Sequence, residues 1–167
     1  QYTLCYPRKI TAVAGNVITL DAPIPFSLHN SDSTVYFYKP EAGQYIENDG
    51  IEGLTLQVLA NTNASGRPSG TALCFKAVFN GWARDIHILN IARNGIKTAW
   101  STRVTILDCS ISGAQDYGGN GWGYGYYTYA SSAVLYRRCA ATALRHNYTS
   151  EYAMTNMVVY TRCNSTK

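Results

Sequence analysis

The sequence is poor in charge and in the residues that favour helices. Asp, Glu, Lys and Arg together make up 14% of its 167 residues. Long stretches rich in Leu, Glu, Lys and Ala are absent, which argues against a helical protein. Tyr occurs 14 times, and Tyr combined with Ser, Thr and Asn favours strands and turns. The composition therefore predicts an all-β protein.

Long apolar runs and strong charge of one sign are also missing. No run of about 18 apolar residues occurs, so no membrane span is expected. The net charge of +4 is spread along the chain and forms no basic stripe, so no nucleic-acid partner is expected. No signal peptide is visible and the chain begins at Gln1, so we expect a processed protein or a piece of a longer one.

The five cysteines lack the close paired spacing of zinc ligands, so no metal or other cofactor is predicted. Cys109, Cys139 and Cys163 occupy the same position of a repeat described below. A ladder of buried thiols is favoured there over a disulfide, because parallel Cβ vectors make the bond geometry awkward. A disulfide from Cys5 or Cys74 remains an open alternative.

Three glycosylation sequons begin at Asn63, Asn147 and Asn164. A chain rich in Asn, Ser and Thr produces such triplets by chance as well. Three sequons in one short chain nevertheless favour a secreted or cell-surface protein.

An irregular internal repeat is the most informative feature of the chain. Five six-residue segments align without gaps, with Ile or Val in the first column and a polar residue in the fifth. They cover residues 51–56, 86–91, 104–109, 134–139 and 158–163. Short strands at variable spacing, without a helical period, are typical of a coil with fixed core columns and variable loops.

A second strand is predicted before each of the later segments. These strands cover residues 72–75, 95–98, 125–128 and 144–147. The turn residues Ser101-Thr102 and Ser131-Ser132 follow two of them at the same offset, which supports stacked turns of one coil.

Two regions are predicted along the chain. Residues 1–47 form a β lead-in, with a hairpin of strands 10–13 and 17–20 and a further strand at 35–38. Residues 48–167 form the turns of the coil. No capping element follows the last turn, so we expect a homo-oligomer, a filament or part of a longer coil.

The pattern resembles the pectate-lyase-like superfamily of right-handed parallel β-helix proteins. The resemblance covers roughly residues 10–167 and rests on residues 18–23 (ITLDAP), 50–55 (GIEGLT), 80–86 (NGWARDI), 94–96 (NGI) and 104–109 (VTILDC). It implies a right-handed parallel β-helix, a solenoid, entered through the N-terminal hairpin. Such proteins include polysaccharide lyases, glycoside hydrolases, tailspikes and non-catalytic adhesins, so the resemblance specifies the fold more than the activity.

Lys97, Arg145 and His146 are the candidate catalytic residues. Elimination from a uronic acid needs a base for the C5 proton and a cation to neutralise the carboxylate. In a regular strand Arg145 and His146 point to opposite faces, so at most one shares a face with Lys97. The structural alternative is a buried histidine bonded to a turn carbonyl, with the arginine at the edge.

A Gly- and Tyr-rich stretch at 116–127 provides the candidate sugar contacts, because aromatic rings stack on the apolar faces of sugars. The candidates are Trp122, Tyr124, Tyr126 and Tyr127. The same stretch is equally typical of a loop that covers its own coil face or contacts another chain. No carboxylate pair suited to glycoside hydrolysis is found, and Asp108 is expected to pair outward with Arg138.

The sequence therefore predicts an extracellular protein that binds or processes a carbohydrate. Its expected partner is a polysaccharide or glycan, and any catalysis is expected to be lyase-like. The alternative is a structural subunit of an extracellular or surface fibre, without catalysis.

Overall fold

The computed structural model describes residues 6–25, 41, 43–59, 66–119 and 121–167. Within these ranges all regular elements are strands and none is a helix. The strands are β1 Ile10–Ala14, β2 Val17–Leu20, β3 Ile46–Glu47, β4 Gly50–Gln57, β5 Thr71–Lys76, β6 Val78–Phe79, β7 Trp82–Ile91, β8 Asn94–Ala99, β9 Thr102–Leu107, β10 Ser110–Ala114, β11 Tyr124–Tyr129, β12 Ser132–Arg137, β13 Ala140–Thr142, β14 His146–Glu151, β15 Asn156–Thr161 and β16 Asn164–Thr166. The predicted all-β class is confirmed.

The predicted N-terminal hairpin is confirmed. Strands β1 and β2 pair antiparallel, with Ala14 opposite Val17, so the turn itself is the two residues Gly15 and Asn16. Gly15 has a φ of +58°, the left-handed conformation that short hairpin turns require. The predicted strand at 35–38 lies outside the described residues.

Two parallel sheets form the rest of the described structure. One has four strands in the order β14-β11-β8-β5, and the other has ten strands, including the path β15-β12-β9-β7-β10-β13-β16. Along the chain β8, β11 and β14 are followed by β9, β12 and β15, which pair with one another in the same order. The chain thus returns to the same two sheets repeatedly.

The core consists of columns of apolar side chains that point inward from successive strands. Val104, Val134 and Val158 are register partners, as the repeat predicted. Next to them Ile106 is followed by Tyr136 and Tyr160, whose rings stack at 5.0 Å. Burying one such large side chain contributes about 1.5–3 kcal/mol relative to exposure, so the stacked columns supply the main driving force for this fold.

The structure corrects the gapless alignment of segment 86–91. Ile51 pairs with Ala83, and Ala83 with Ile106. Ile86 therefore does not share the column of Val104. The alignment gave a large residue to the inward position next to Ile106, and in the structure Ala83 fills it. The physical reason is that Ile and Val occupy any inward position equally well, so residue type alone does not exclude a shift of register.

Three of the four predicted second strands are confirmed, within β5, β8 and β11. The fourth, at 144–147, is wrong because β14 begins only at His146. Leu144 and Arg145 precede the strand, and the N–H of Arg145 donates to the Gly123 carbonyl. Leu144 is nevertheless buried although it lies outside a strand. The sequence predicted a strand here because a buried apolar residue is typical of one.

Two further predictions from the sequence repeat are confirmed. The carboxylate of Asp108 accepts two hydrogen bonds from the Arg138 guanidinium, at 2.6 and 2.7 Å. The N–H groups of Ala140 and Asn164 donate to the carbonyls of Cys109 and Cys139, both at 2.9 Å. Cys109, Cys139 and Cys163 carry free thiols, as does Cys74.

The Asp108–Arg138 pair and the column of Cys109, Cys139 and Cys163 both follow from the register of the parallel strands.

A membrane-crossing helix is not found anywhere in the described part of the chain.

Candidate functional site

A cavity of about 460 Å³ lies against the four-stranded sheet. We call it the tyrosine cavity; its lining residues are Arg93, Lys97, Gly121, Tyr124, Tyr127, Tyr129 and Glu151. Strand register assembles it, because Lys97 of β8 is the partner of Tyr127 in β11, and Tyr129 is the partner of Glu151 in β14. These side chains alternate with inward residues such as Ile96 and Thr128 along the same strands.

Two basic side chains in the cavity contact aromatic rings. The Lys97 ammonium lies 5.2 Å from the ring centroids of both Tyr127 and Tyr129. The Arg93 guanidinium lies 5.4 Å from the Trp122 ring. Cation–π contacts of this kind hold a positive charge in place without neutralising it. Within the described residues neither cation forms a salt bridge, so both are available to an anion.

Tyr127 forms part of the cavity wall. Its hydroxyl donates a hydrogen bond to the Glu151 carboxylate, and only 9% of the residue is exposed. Burial, reinforced by this bond to Glu151, raises the pKa of Tyr127 well above its usual range. The phenol is therefore protonated at neutral pH and acts as a hydrogen-bond donor, not as a base.

Trp122 is held beside the cavity by contacts with Arg67 and Pro68. The Arg67 guanidinium lies 3.9 Å from its ring, and its indole N–H donates to the Pro68 carbonyl. Arg67 is also paired with Asp116. Gly118 lies close to this pair, and a Cβ there would come within 2.3 Å of an Arg67 nitrogen, so Arg67 would have to move. These contacts fix Trp122 and Asp116 through their shared partner Arg67.

Arg145 and His146 lie at Tyr124 and are not among the residues that line the tyrosine cavity. The Arg145 guanidinium is 5.7 Å from the Tyr124 ring, and the His146 ring packs edge-on against it at 4.9 Å. One terminal nitrogen of Arg145 is buried and has no hydrogen-bond partner among the described residues. Tyr124 is therefore the residue that links the predicted catalytic pair to the Lys97 side of the site.

Tyr126 must be removed from the predicted sugar contacts. It has no exposed surface, and its hydroxyl donates to the carbonyls of Cys109 and Ala140. Its ring stacks on Tyr148 at 5.0 Å. Tyrosine suits both a core and a surface, so the sequence alone did not distinguish Tyr126 from its neighbour Tyr127.

The sequons differ in accessibility. Asn164 lies in β16 and is exposed. The side-chain nitrogen of Asn147, the atom that would carry a glycan, instead donates hydrogen bonds to Ser165 and Thr166. Asn63 lies outside the described residues. Of the two described sequons, Asn164 presents the more accessible acceptor.

Sequence reasoning missed Arg93, Tyr129 and Glu151. A signal existed for Tyr129, because it is two residues from Tyr127 and so lies on the same face of a strand. Glu151 was missed because the strand was predicted at residues 144–147, whereas β14 covers His146–Glu151. Arg93 precedes β8, and no sequence pattern places it.

A second polar cluster lies on the ten-stranded sheet, outside the cavity. His87 is hydrogen-bonded through Nδ1 to Ser110 Oγ at 2.7 Å, and its Nε2 lies 3.2 Å from Asp85. The His87 and Asp85 side chains are about half exposed or more, so water solvates the group. In the described ranges no cluster of His, Cys, Asp and Glu could hold a metal ion.

The tyrosine cavity thus combines stacking surfaces, two cations and one carboxylate acceptor, a set suited to a polyhydroxylated ligand with negative charge. Neither a protein-family model, nor a curated protein sequence, nor a solved structure matches this chain.

Proposed function

We propose that this chain is an extracellular carbohydrate-binding protein that binds an acidic glycan in the tyrosine cavity. The observation that carries the proposal is the position of Lys97, whose ammonium lies 5.2 Å from the centroids of two tyrosine rings of the cavity wall. A sugar stacked on such rings would bring its carboxylate or sulfate to the ammonium group. The apolar and the charged requirements of an acidic sugar are thereby met in one place.

The fold proposal is a right-handed parallel β-helix, of which the two parallel sheets are the faces. The repeated return of the chain to the same sheets supports it, as do the inward columns of like residues. Such a scaffold holds functional side chains on rigid strands, which favours precise positioning of the cations and rings.

Each lining group has a distinct role in the proposed complex. Tyr124 and Tyr129 offer ring surfaces for the apolar face of a sugar. Lys97 and Arg93 neutralise the acidic group through charge-assisted hydrogen bonds. The Glu151 carboxylate accepts hydrogen bonds from sugar hydroxyls while its other contact, the Tyr127 hydroxyl, holds it in place.

Processing of the bound glycan by elimination is the second candidate function. The contact of His146 with Tyr124 favours it, because it brings a base to the rim of the site. His146 would take the proton next to the carboxylate while Lys97 neutralises the developing charge. The neighbouring carbon–oxygen bond then breaks, a double bond forms and the leaving oxygen takes a proton. Ultraviolet absorbance of the unsaturated product tests this step, with His87→Ala as the matched control for His146→Ala.

Calorimetric titration with a panel of polymers tests the binding proposal. Polygalacturonate, alginate and chondroitin sulfate are the acidic members, and dextran and galactan are the neutral ones. We expect at least one acidic polymer to bind, and Lys97→Ala to weaken it while Lys76→Ala does not. Lys76 is a matched control because it lies in the neighbouring strand β5 and does not line the cavity. Binding of no polymer, or equal loss in both variants, would refute the proposal.

The extracellular location and the assembly state have their own tests. Expression in a secretory host should give a mass increase that Asn164→Gln reduces by the mass of one glycan. The alternative function, a fibre subunit, predicts filaments in electron microscopy and light scattering of purified protein. A monomer or small oligomer is the expectation of the carbohydrate-binding proposal.

A further inference from the structure

The aromatic side chains extend beyond the tyrosine cavity in one continuous row. Ring centroids are 5.3 Å apart between Tyr124 and Tyr127, and 6.0 Å between Tyr127 and Tyr129. Beyond Tyr129 lie two further rings, Tyr152 at 4.8 Å and Trp100 at 5.9 Å from Tyr129, which are 6.0 Å from each other. The last two residues do not line the cavity, and nothing in the proposed function uses them.

The fold places Trp100 and Tyr152 at equivalent positions of two turns. Trp100 directly follows β8, Ala130 directly follows β11 and Tyr152 directly follows β14, and all three have left-handed φ values of 55°, 47° and 84°. Ala130 is the small residue between the two large ones, so the outer rings meet across it. A hydrogen bond from the Thr155 N–H to the Tyr152 carbonyl at 2.9 Å closes the Tyr152 turn.

Trp100 and Tyr152 are 41% and 42% exposed. Within the described residues neither the indole N–H of Trp100 nor the hydroxyl of Tyr152 has a hydrogen-bond partner. Two large rings are therefore held side by side in solvent with their polar groups unused. An aromatic surface with free donors is suited to a ligand that offers both apolar faces and hydroxyl groups.

We infer that Trp100 and Tyr152 form a second stacking subsite, and that the site takes an extended glycan chain instead of a single sugar. The inference rests on the proposed function. Successive ring centroids along Tyr124, Tyr127, Tyr129 and Trp100 lie 5.3, 6.0 and 5.9 Å apart, so the row offers more ring surface than a single sugar covers. One end of the chain occupies the cavity at Lys97, and the other stacks on the Trp100 ring.

Titration with di- and hexasaccharides of polygalacturonate and alginate tests the subsite. Trp100→Ala should weaken hexasaccharide binding about tenfold, which corresponds to about 1.4 kcal/mol, and leave disaccharide binding unchanged. Lys97→Ala should weaken both lengths. Trp100→Phe, which keeps a ring, should retain most of the hexasaccharide affinity. Trp82→Ala removes another exposed tryptophan, on β7, and should change neither.

The outcomes separate failure of the subsite from failure of the proposed function. Unchanged hexasaccharide binding in Trp100→Ala, or an equal loss at both lengths, would overturn the second subsite and leave the cavity as the binding site. No binding of either length to the unmodified protein would overturn the proposed function together with the subsite. A thermal melt of each variant shows whether it is folded, and a misfolded Trp100→Ala is replaced by Trp100→Gln in the same titration.

Discussion

The two parallel sheets carry their outward charges in different ways. On the ten-stranded sheet, acids and bases pair with each other: Arg138 with Asp108 and Arg84 with Glu52. On the four-stranded sheet, Lys97 contacts tyrosine rings and forms no salt bridge within the described residues. In the two named pairs on the first surface the charges neutralise each other, whereas Lys97 on the second keeps its charge for a group outside the chain.

This difference teaches where to look for function on a repetitive scaffold. Exposed ion pairs contribute little to stability and offer no net charge to a ligand. A cation held by aromatic rings retains its charge and loses part of its mobility, which lowers the cost of binding an anion. The cation held by aromatic rings on the four-stranded sheet, and not the ion pairs of the ten-stranded sheet, therefore indicates the binding face.

Removing both cavity cations should have the largest effect. Arg93→Met together with Lys97→Met should weaken binding of an acidic oligosaccharide about hundredfold, or about 2.8 kcal/mol, since two charge-assisted contacts are lost. Calorimetry measures the loss. The matched control is Arg84→Met together with Arg138→Met on the other sheet, which removes the same number of charges. An equal loss of affinity in the control would show that the four-stranded and ten-stranded sheets do not differ in binding.

Removing a stacking surface should have a smaller effect. Tyr124→Ala should weaken binding about tenfold, or about 1.4 kcal/mol, because the ring face is lost while both cations remain. Tyr117→Ala serves as the control, since Tyr117 is an exposed tyrosine outside the cavity. If Tyr117→Ala and Tyr124→Ala behave alike, the cavity tyrosines are not the stacking surface.

Salt should weaken binding severalfold between low and physiological ionic strength. The attraction between Lys97, Arg93 and an acidic sugar is screened over about 10 Å at 0.1 M salt. The stacking contribution is not screened, so some affinity should persist. Titrations of the same oligosaccharide at several salt concentrations measure the slope. A slope that is unchanged in Lys97→Met would contradict the assigned role of this lysine.

The smallest effect is expected at the paired face. Hydrogen bonds from Arg138 lower the pKa of the Asp108 carboxyl. Because this pKa is lowered in the folded state, the pair's contribution is present above the ordinary Asp pKa of about 3.9 and is lost as the pH falls through the lowered value. In Arg138→Ala, carbon NMR should show the Asp108 pKa rising toward its ordinary value. An unchanged pKa would mean that the pair is not formed in solution.

The sequence predicted those parts of the fold in which like residues repeat at equal offsets. Val104, Val134 and Val158 are such a set, and so are the buried turn residues Ser101 and Ser131, where the Ser101 N–H donates to the Ser131 hydroxyl at 3.1 Å. The prediction was wrong where small residues take inward positions, as Ala83 does. When one column contains both Ile and Ala, the residue types along the sequence do not reveal that the two positions are equivalent.

The candidate site was predictable only in part. Lys97, Tyr124 and Tyr127 were identified because polar and aromatic residues on a rigid coil are typical of sugar sites. Tyr126 was misassigned because adjacent tyrosines give no indication of which one points inward. Arg93 and Glu151 come from positions flanking or ending strands, and their place in the cavity depends on the register of three parallel strands, β8, β11 and β14.

A crystal structure of the protein with the tightest-binding acidic oligosaccharide tests the central claim most directly. We expect a sugar ring against Tyr124 and Tyr129, with its acidic group at Lys97 and further units toward Trp100. A sugar bound instead on the ten-stranded sheet, beside Trp82 and Arg84, would contradict the proposed binding site.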